Sequence, residues 1–166
     1  MLSFDLFELA QHQNPTPGES LEDAKSRRVI STVYYAVFHL LCETLADQLG
    51  PDVGAVLRYR MQRALKHADV REVCASLANG KLPKFLEGTM VVVPLQAKAF
   101  AEAFMELQER RHVADYDAGS PHSAYDSGAV LLMGSEAFST WRKLRETPDG
   151  RAIALAFLVA RQFKGK

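Results

Sequence analysis

The chain has 166 residues, of which 48% are hydrophobic and 24% charged, an ordinary composition for one globular domain that excludes intrinsic disorder. Its 20 basic and 20 acidic side chains cancel, so no overall field attracts the protein to nucleic acid or to an anionic membrane. Any site for a polyanion therefore has to be a local patch.

Helical periodicity runs along almost the whole sequence. A short first helix is predicted in residues 3–13, and it ends at "NPTPG", where proline and glycine stop it. A long helix follows within residues 20–49, because its apolar residues recur every three or four positions in one continuous stripe. Gly50–Pro51 closes this helix. Residues 53–79 predict a third helix.

The second half of the chain predicts three more helices. Pro94 suits the first position of a helix that continues to about residue 117. Residues 123–146 predict the next helix, which contains Gly128 and Gly134. Each of these glycines costs about 1 kcal/mol against alanine unless close packing requires it. The last helix is predicted to begin near Pro148.

The fold class follows from these helices. The β-branched run "MVVV" at 90–93 is isolated, so it does not predict a sheet. Five or six helices with short connections predict an all-α fold, an antiparallel up-down helical bundle formed by a single domain over residues 1–166. Trp141, which follows Phe138 and precedes Leu144 at helical spacing, is expected in the helical core or at an interface.

The fourth predicted helix ends in an unusually polar sequence, "ERRHVADYD" at 109–117. On a helix, Arg111 and Asp115 lie four residues apart on one face, and His112 and Tyr116 form a second such pair beside them. A guanidinium can hold phosphate oxygens, and an imidazole can transfer protons near neutral pH. These four side chains are therefore candidates for a phosphodiester site.

The same residues also have a purely structural interpretation. Arg111 and Asp115 would then form an ordinary ion pair at the end of a helix. Tyr116 would pack its ring and leave its hydroxyl at the rim. The spacing of the four residues leaves both interpretations open.

Two segments of the chain resemble the HEPN domain superfamily. "SRRVISTVYYAVFH" at 26–39 is similar to the second helix of these domains, and "LQERRHVADYD" at 107–117 is similar to their fourth-helix motif. The resemblance covers roughly residues 20–118. HEPN domains are all-α bundles that usually form homodimers, and many are metal-independent ribonucleases whose paired motif helices form one composite site. The resemblance therefore implies a homodimer, RNA as ligand, and a toxin–antitoxin or defence setting.

The sequence departs from the family motif at its second catalytic position. The motif has an arginine and, four to six residues later, a histidine. Arg111 matches the arginine and His112 the polar position beside it, but Tyr116 stands at the distal histidine, or Asp115 if Arg110 is taken as the start. RNA cleavage needs groups that titrate near the operating pH, and a tyrosine, with a pKa of about 10, is a poor base.

Two functions remain from this resemblance. The first is an RNA-binding protein or metal-independent endoribonuclease, in which Arg111 holds the scissile phosphate and His112 transfers the proton. The alternative is a catalytically inactive protein-interaction module, antitoxin-like or structural. Some HEPN relatives are paired with nucleotidyltransferases that modify a motif tyrosine, so a nucleotidyltransferase-like antitoxin is a candidate partner.

A second cationic feature is the segment "RYRMQRALKHADVRE" at 58–72. Four of its basic residues recur at steps of three, four and four and fall within about 80° on one helix, a stripe suited to phosphate contacts: Arg60, Arg63, His67 and Arg71. The structural alternative is a solvated helix face. The basic pair Arg27–Arg28 begins the long helix and is a further candidate for the same cleft as the motif. The predicted RNA-binding residues are Arg60, Arg63, His67, Arg71 and Arg110.

The polar cluster and the turn after it also contain residue types that bind metal ions. His112, Asp115, Asp117 and His122 offer imidazole and carboxylate ligands that several cations accept. Asp117 and His122 lie on either side of a turn that we expect to be flexible, and no cysteine joins them. We therefore predict no metal site and no cofactor.

Three features of the sequence predict the compartment of the protein. The longest wholly apolar run, at 152–160, has nine residues, against about 20 for a membrane span. The N-terminal sequence lacks the basic and apolar regions of a signal peptide. Cys42 and Cys74 lie in helical segments and are expected to be small buried residues, which suits a reducing compartment. We therefore predict a cytoplasmic protein that does not enter a membrane.

Overall fold

The protein is all-α in a computed structural model, which describes residues 1–90 and 92–163. Two short 3₁₀ helices, Lys84–Leu86 and Ala160–Phe163, and one isolated bridge between Glu87 and Met90 accompany the α-helices. No strand occurs in the described residues, which confirms the all-α part of the predicted fold class; Val91 of the β-branched run lies outside them. The α-helices are α1 (Leu2–Gln13), α2 (Glu22–Asp47), α3 (Ala55–Ala64), α4 (His67–Ala78), α5 (Leu95–Tyr116), α6 (Ala124–Leu144) and α7 (Pro148–Val159).

The predicted count of five or six helices was wrong, because residues 53–79 form two helices instead of one. Helix α3 ends at Ala64, and Leu65 and Lys66 are both extended, with ψ angles of 135° and 139°. An extended backbone cannot continue the hydrogen bonds of an α-helix. The side chain of Leu65 is buried at this break. The antiparallel up-down arrangement stays a prediction.

The described residues divide into two compact units. The first comprises Met1–Leu40 and Ala103–Phe138, and the second comprises the described residues of Leu41–Glu102 and Ser139–Lys166. Helices α2, α5 and α6 supply residues to both units. The predicted single domain stays a prediction.

A glycine allows close helix packing in the first unit. A Cβ atom at Gly134 of α6 would lie 2.5 Å from Cγ1 of Val33 in α2 and 2.9 Å from the ring of Phe7 in α1. Any larger residue would therefore displace the side chains of Val33 and Phe7 or the helices that carry them. Gly128 has no such neighbour within 4 Å, so close packing accounts for only one of the two glycines in α6.

The core of the second unit is built around Trp141. Its side chain is fully buried, with ring centroids 4.7 Å from Phe100 and 5.7 Å from Phe157. The indole Nε1–H donates a hydrogen bond to Oγ1 of Thr44 over 2.9 Å. The predicted core position of Trp141 is confirmed.

Both cysteines are free and buried, as predicted. Burial, with a smaller contribution from the neighbouring carboxylate of Glu43, raises the pKa of the Cys42 thiol to about 12. Burial also raises the pKa of the Cys74 thiol. Neither thiol is therefore ionised near neutral pH.

Helix α2 is the one helix in the described residues whose length and composition would allow it to cross a bilayer. Of the relevant window, 89% is buried inside the protein. The core helix of a soluble protein passes the same test, so burial gives the apolar stripe a sufficient role without lipid. The cytoplasmic location stays a prediction.

Candidate nucleic-acid interface

The predicted ion pair at the end of α5 is present. Nε of Arg111 lies 2.6 Å from Oδ2 of Asp115. This nitrogen is buried and lacks the geometry of a hydrogen bond, so the contact is an ion pair only. Nη2 of Arg111 donates a hydrogen bond to the hydroxyl of Tyr35 in α2 over 2.9 Å. The Ser31 hydroxyl also approaches Asp115, at 3.5 Å.

Three tyrosine rings surround the guanidinium of Arg111. Its Cζ atom lies 5.4 Å from the ring centroids of Tyr35 and Tyr116 and 6.0 Å from that of Tyr34, within the range of cation–π attraction. Partial burial by itself lowers the pKa of this guanidinium. The Asp115 carboxylate, with Tyr35 and Tyr116, outweighs that effect, so the pKa of Arg111 is raised. Arg111 is therefore a fixed cation whose charge is compensated by Asp115.

Tyr116 connects Arg111 with His112. The ring centroids of His112 and Tyr116 lie 5.1 Å apart, so the second predicted pair is also present. Tyr116 is 67% exposed, and His112 is exposed beside it. The structure thus brings together Arg111, His112, Asp115 and Tyr116, with one solvent-facing ring in contact with both a guanidinium and an imidazole.

Arg27 of α2 holds the end of α5 in place. Its Nη1 donates to the carbonyls of Ala114 and Asp117, each over 2.9 Å, and its Nη2 donates to the carbonyl of Ser120 over 2.6 Å. Its Nε donates to Asp23 over 2.8 Å. The last carbonyls of a helix have no partner within the helix, so this guanidinium serves as a cap supplied by another helix. The basic pair 27–28 was predicted to reach the same cleft as the motif; Arg27 lies beside the end of the motif helix, but its guanidinium is used in these structural contacts.

Hydrogen bonds join the turn between α5 and α6 to the start of α2. The expected flexibility of this turn stays a prediction. The backbone N–H of His122 donates to Oδ1 of Asp23 over 2.6 Å, and the N–H of Ala124 donates to Glu22 over 2.7 Å. Within the turn, Asp117 accepts hydrogen bonds from the N–H of Gly119 and the hydroxyl of Ser120. The carboxylates of two different segments therefore fix its course.

Because carboxylates accept the hydrogen bonds of this turn, we expect their protonation in acid to loosen it. The N–H of His122, followed by Arg27, lowers the pKa of Asp23, and the Ser120 hydroxyl, followed by the N–H of Gly119, lowers that of Asp117. A carboxyl whose pKa is depressed by folding stabilises the fold above its unfolded pKa. That contribution is lost as the pH falls through the folded value.

We therefore expect the amide resonances of His122 and Gly119 to move toward those of an unstructured chain as the pH falls below about 4. NMR titration measures this. In an Asp23→Asn variant the His122 amide should lose its titration while that of Gly119 keeps it. Amide shifts that stay constant down to pH 2 would show that these carboxylates do not hold the turn.

Arg110, the neighbour of Arg111 in the motif, has different contacts. Its Nε donates to Glu106 over 2.7 Å, and its side chain lines a small pocket together with His122. His122 was not among the predicted site residues because it lies beyond the spacing of the motif. Its side chain lines the same pocket as Arg110, and only the three-dimensional structure shows this proximity.

The basic stripe does not form on one helix, because the break at Leu65 divides it. Arg60 and Arg63 belong to α3, and His67 and Arg71 belong to α4. The angle calculated for a continuous helix therefore does not apply. All four side chains are exposed, and Arg63 donates to the hydroxyl of Tyr59 over 2.9 Å. Their role in RNA binding stays a prediction.

No family model matches this chain, and no curated protein or solved structure matches it either. Within residues 1–90 and 92–163, no group of three or more His, Cys, Asp or Glu side chains is placed to hold a metal ion. Because none of these comparisons finds a match, the resemblance to HEPN domains rests on the segments 26–39 and 107–117 alone.

Proposed function

We propose that the protein is a HEPN-like protein that binds single-stranded RNA at the C-terminal end of α5. The observation that carries this proposal is the exposed ring of Tyr116, which lies against both Arg111 and His112. Unpaired RNA bases stack on exposed aromatic rings, with a contribution of about 1–3 kcal/mol per base. The exposed imidazole of His112 beside the ring can donate to a phosphate next to that base.

The proposed roles favour binding over rapid cleavage. Arg111 is held by Tyr35 and its charge is compensated by Asp115, so it positions the Tyr116 ring more than it attracts phosphate. His112 is exposed and is the one group of the motif suited to proton transfer near neutral pH. In the endoribonuclease version, Arg111 would hold the scissile phosphate and His112 would transfer the proton.

The alternative function is a protein-interaction module that has lost the chemistry. Tyr125 and Leu132 of α6 favour it, because they are 76% and 70% exposed and lie seven residues apart on one helix face. The partner would be a second copy of this chain, as in HEPN homodimers, or a nucleotidyltransferase-like antitoxin. The toxin–antitoxin or defence setting belongs to this proposal through the resemblance only.

RNA binding is tested by fluorescence anisotropy with a labelled single-stranded RNA in EDTA. We expect Tyr116→Ala to weaken binding by about 5- to 150-fold, which corresponds to the loss of one stacked base. Tyr125→Ala is the matched control, because it also removes an exposed tyrosine from a helix of the first unit. It should bind RNA as the parent does.

The same samples, analysed on a denaturing gel, separate the three functions. Cleavage by the parent but not by His112→Ala would establish the endoribonuclease. Binding without cleavage would establish the RNA-binding protein. If the parent neither binds nor cleaves RNA, the proposal fails and the protein-interaction module remains.

A further inference from the structure

A small pocket lies beside the end of α5, entirely within the first unit. Its volume is about 240 Å³. Ile30, Val113 and Pro121 form apolar walls, and Glu109, Arg110 and His122 supply polar groups at its edge. Pockets for drug-sized ligands usually measure about 300–1,000 Å³, so this one suits a smaller molecule.

The imidazole of His122 is held in one orientation. Its side chain is 10% exposed, and Nδ1 lies 2.8 Å from the carbonyl of Ser120. A carbonyl only accepts, so Nδ1–H donates to it; this contact selects the tautomer of the uncharged ring in which Nε2 is an acceptor. The same Ser120 carbonyl accepts from Arg27, and the His122 amide is bound by Asp23. The position of this ring is therefore fixed before any ligand arrives.

Two charged groups at the pocket retain unused hydrogen-bonding capacity. Arg110 uses Nε for Glu106, and its terminal nitrogens bond to no residue that the structure describes. The carboxylate of Glu109 has no hydrogen bond or ion pair within the same described ranges. The pocket therefore offers a donor fork and an acceptor pair from adjacent residues of α5.

The charge of the lining argues against a phosphate inside the pocket. Glu109 and Asp126 supply two carboxylates against the single guanidinium of Arg110. Asp126 is committed to Ser123, whose hydroxyl and backbone N–H it binds over 2.6 and 2.8 Å. An anion would meet net negative charge, whereas an uncharged base with donors on one edge would not.

We propose that this pocket receives one unpaired guanine base of the RNA, an inference that rests on the proposed RNA-binding function. Arg110 donates to guanine O6 and N7, and Glu109 accepts from N1–H and the N2 amino group. Guanine presents both an acceptor pair for a guanidinium and adjacent donors for a carboxylate. Adenine, cytosine and uracil lack this combination, so the pocket selects guanine among the four bases.

The test is anisotropy with labelled oligouridylates that carry one central G, A or C, beside the all-U strand. We expect the G strand to bind about 5- to 150-fold more tightly than the others, as one good bidentate pair provides. Replacing G by inosine, which lacks the N2 amino group, should reduce this preference. Glu109→Ala should abolish it while leaving the affinity for the all-U strand within about twofold.

Glu136→Ala is the matched control, because it removes one exposed glutamate from α6 in the same unit. It should retain the preference for G. Equal affinity for all central bases, or an unchanged preference in Glu109→Ala, overturns the guanine pocket but leaves RNA binding in place. Failure of every strand to bind overturns the proposed function and this inference together.

Discussion

Replacing Trp141 by alanine is expected to lower the free energy of unfolding by about 3–5 kcal/mol. The side chain is fully buried against Phe100 and Phe157, so alanine leaves a large cavity in the second unit. It also removes the hydrogen bond that the indole donates to Thr44. Because Trp141 is the only tryptophan of the chain, unfolding in urea should be followed by far-UV circular dichroism.

Two further variants separate the causes of this loss. Trp141→Phe keeps an aromatic ring but not the donor, so it should cost clearly less than Trp141→Ala, with about 1 kcal/mol from the hydrogen bond itself. Arg142→Ala changes the exposed neighbour on the same helix and should alter stability by less than about 0.5 kcal/mol. An alanine variant no less stable than the phenylalanine variant would contradict the cavity explanation.

Replacing Arg27 by alanine is expected to cost about 2–4 kcal/mol of stability. The side chain is 17% exposed, and its guanidinium donates to the carbonyl of Ala114 in α5 and to those of Asp117 and Ser120 just beyond the helix. The loss is smaller than the sum of three charge-assisted bonds, because water can reach the carbonyls near the surface. Urea denaturation measures the stability, and hydrogen exchange should show faster exchange of the amides at 117–123.

The neighbouring arginine provides the control for charge. Arg28→Ala removes the same charge from an exposed position and should change stability by less than about 0.5 kcal/mol. Arg27→Lys keeps the charge but cannot reach three carbonyls with one ammonium group, so it should lie between the parent and Arg27→Ala. Equal stability of the Arg27→Ala and Arg28→Ala variants would mean that the cap contributes nothing.

Most helices could be predicted because their signals are local. Apolar periodicity located α1, α2, α5, α6 and α7 to within a few residues, and glycine or proline marked most of their ends. The break between α3 and α4 has no such mark, since Leu65 and Lys66 are ordinary helix formers. The backbone is extended where the side chain of Leu65 is buried. Burial depends on residues distant in the sequence, so it leaves no local signal.

In the candidate site, too, contacts within one helix could be predicted from the sequence, whereas contacts between distant residues could not. The pairs Arg111–Asp115 and His112–Tyr116 are four residues apart, so helix geometry alone predicts them. The contact of Arg27 with the Ser120 carbonyl joins positions 93 residues apart, and no local pattern specifies it. The pocket that includes His122 depends on that contact, so it could be recognised only in three dimensions.

Burial of the two cysteines makes the protein suitable for thiol-labelling kinetics. Cys42 and Cys74 both belong to the second unit, and their un-ionised thiols react with alkylating reagents only when the surrounding helices separate. The rate of alkylation under native conditions thus reports how often this unit opens. Mass spectrometry of the modified peptides would show whether α2 and α4 open in the same event or independently.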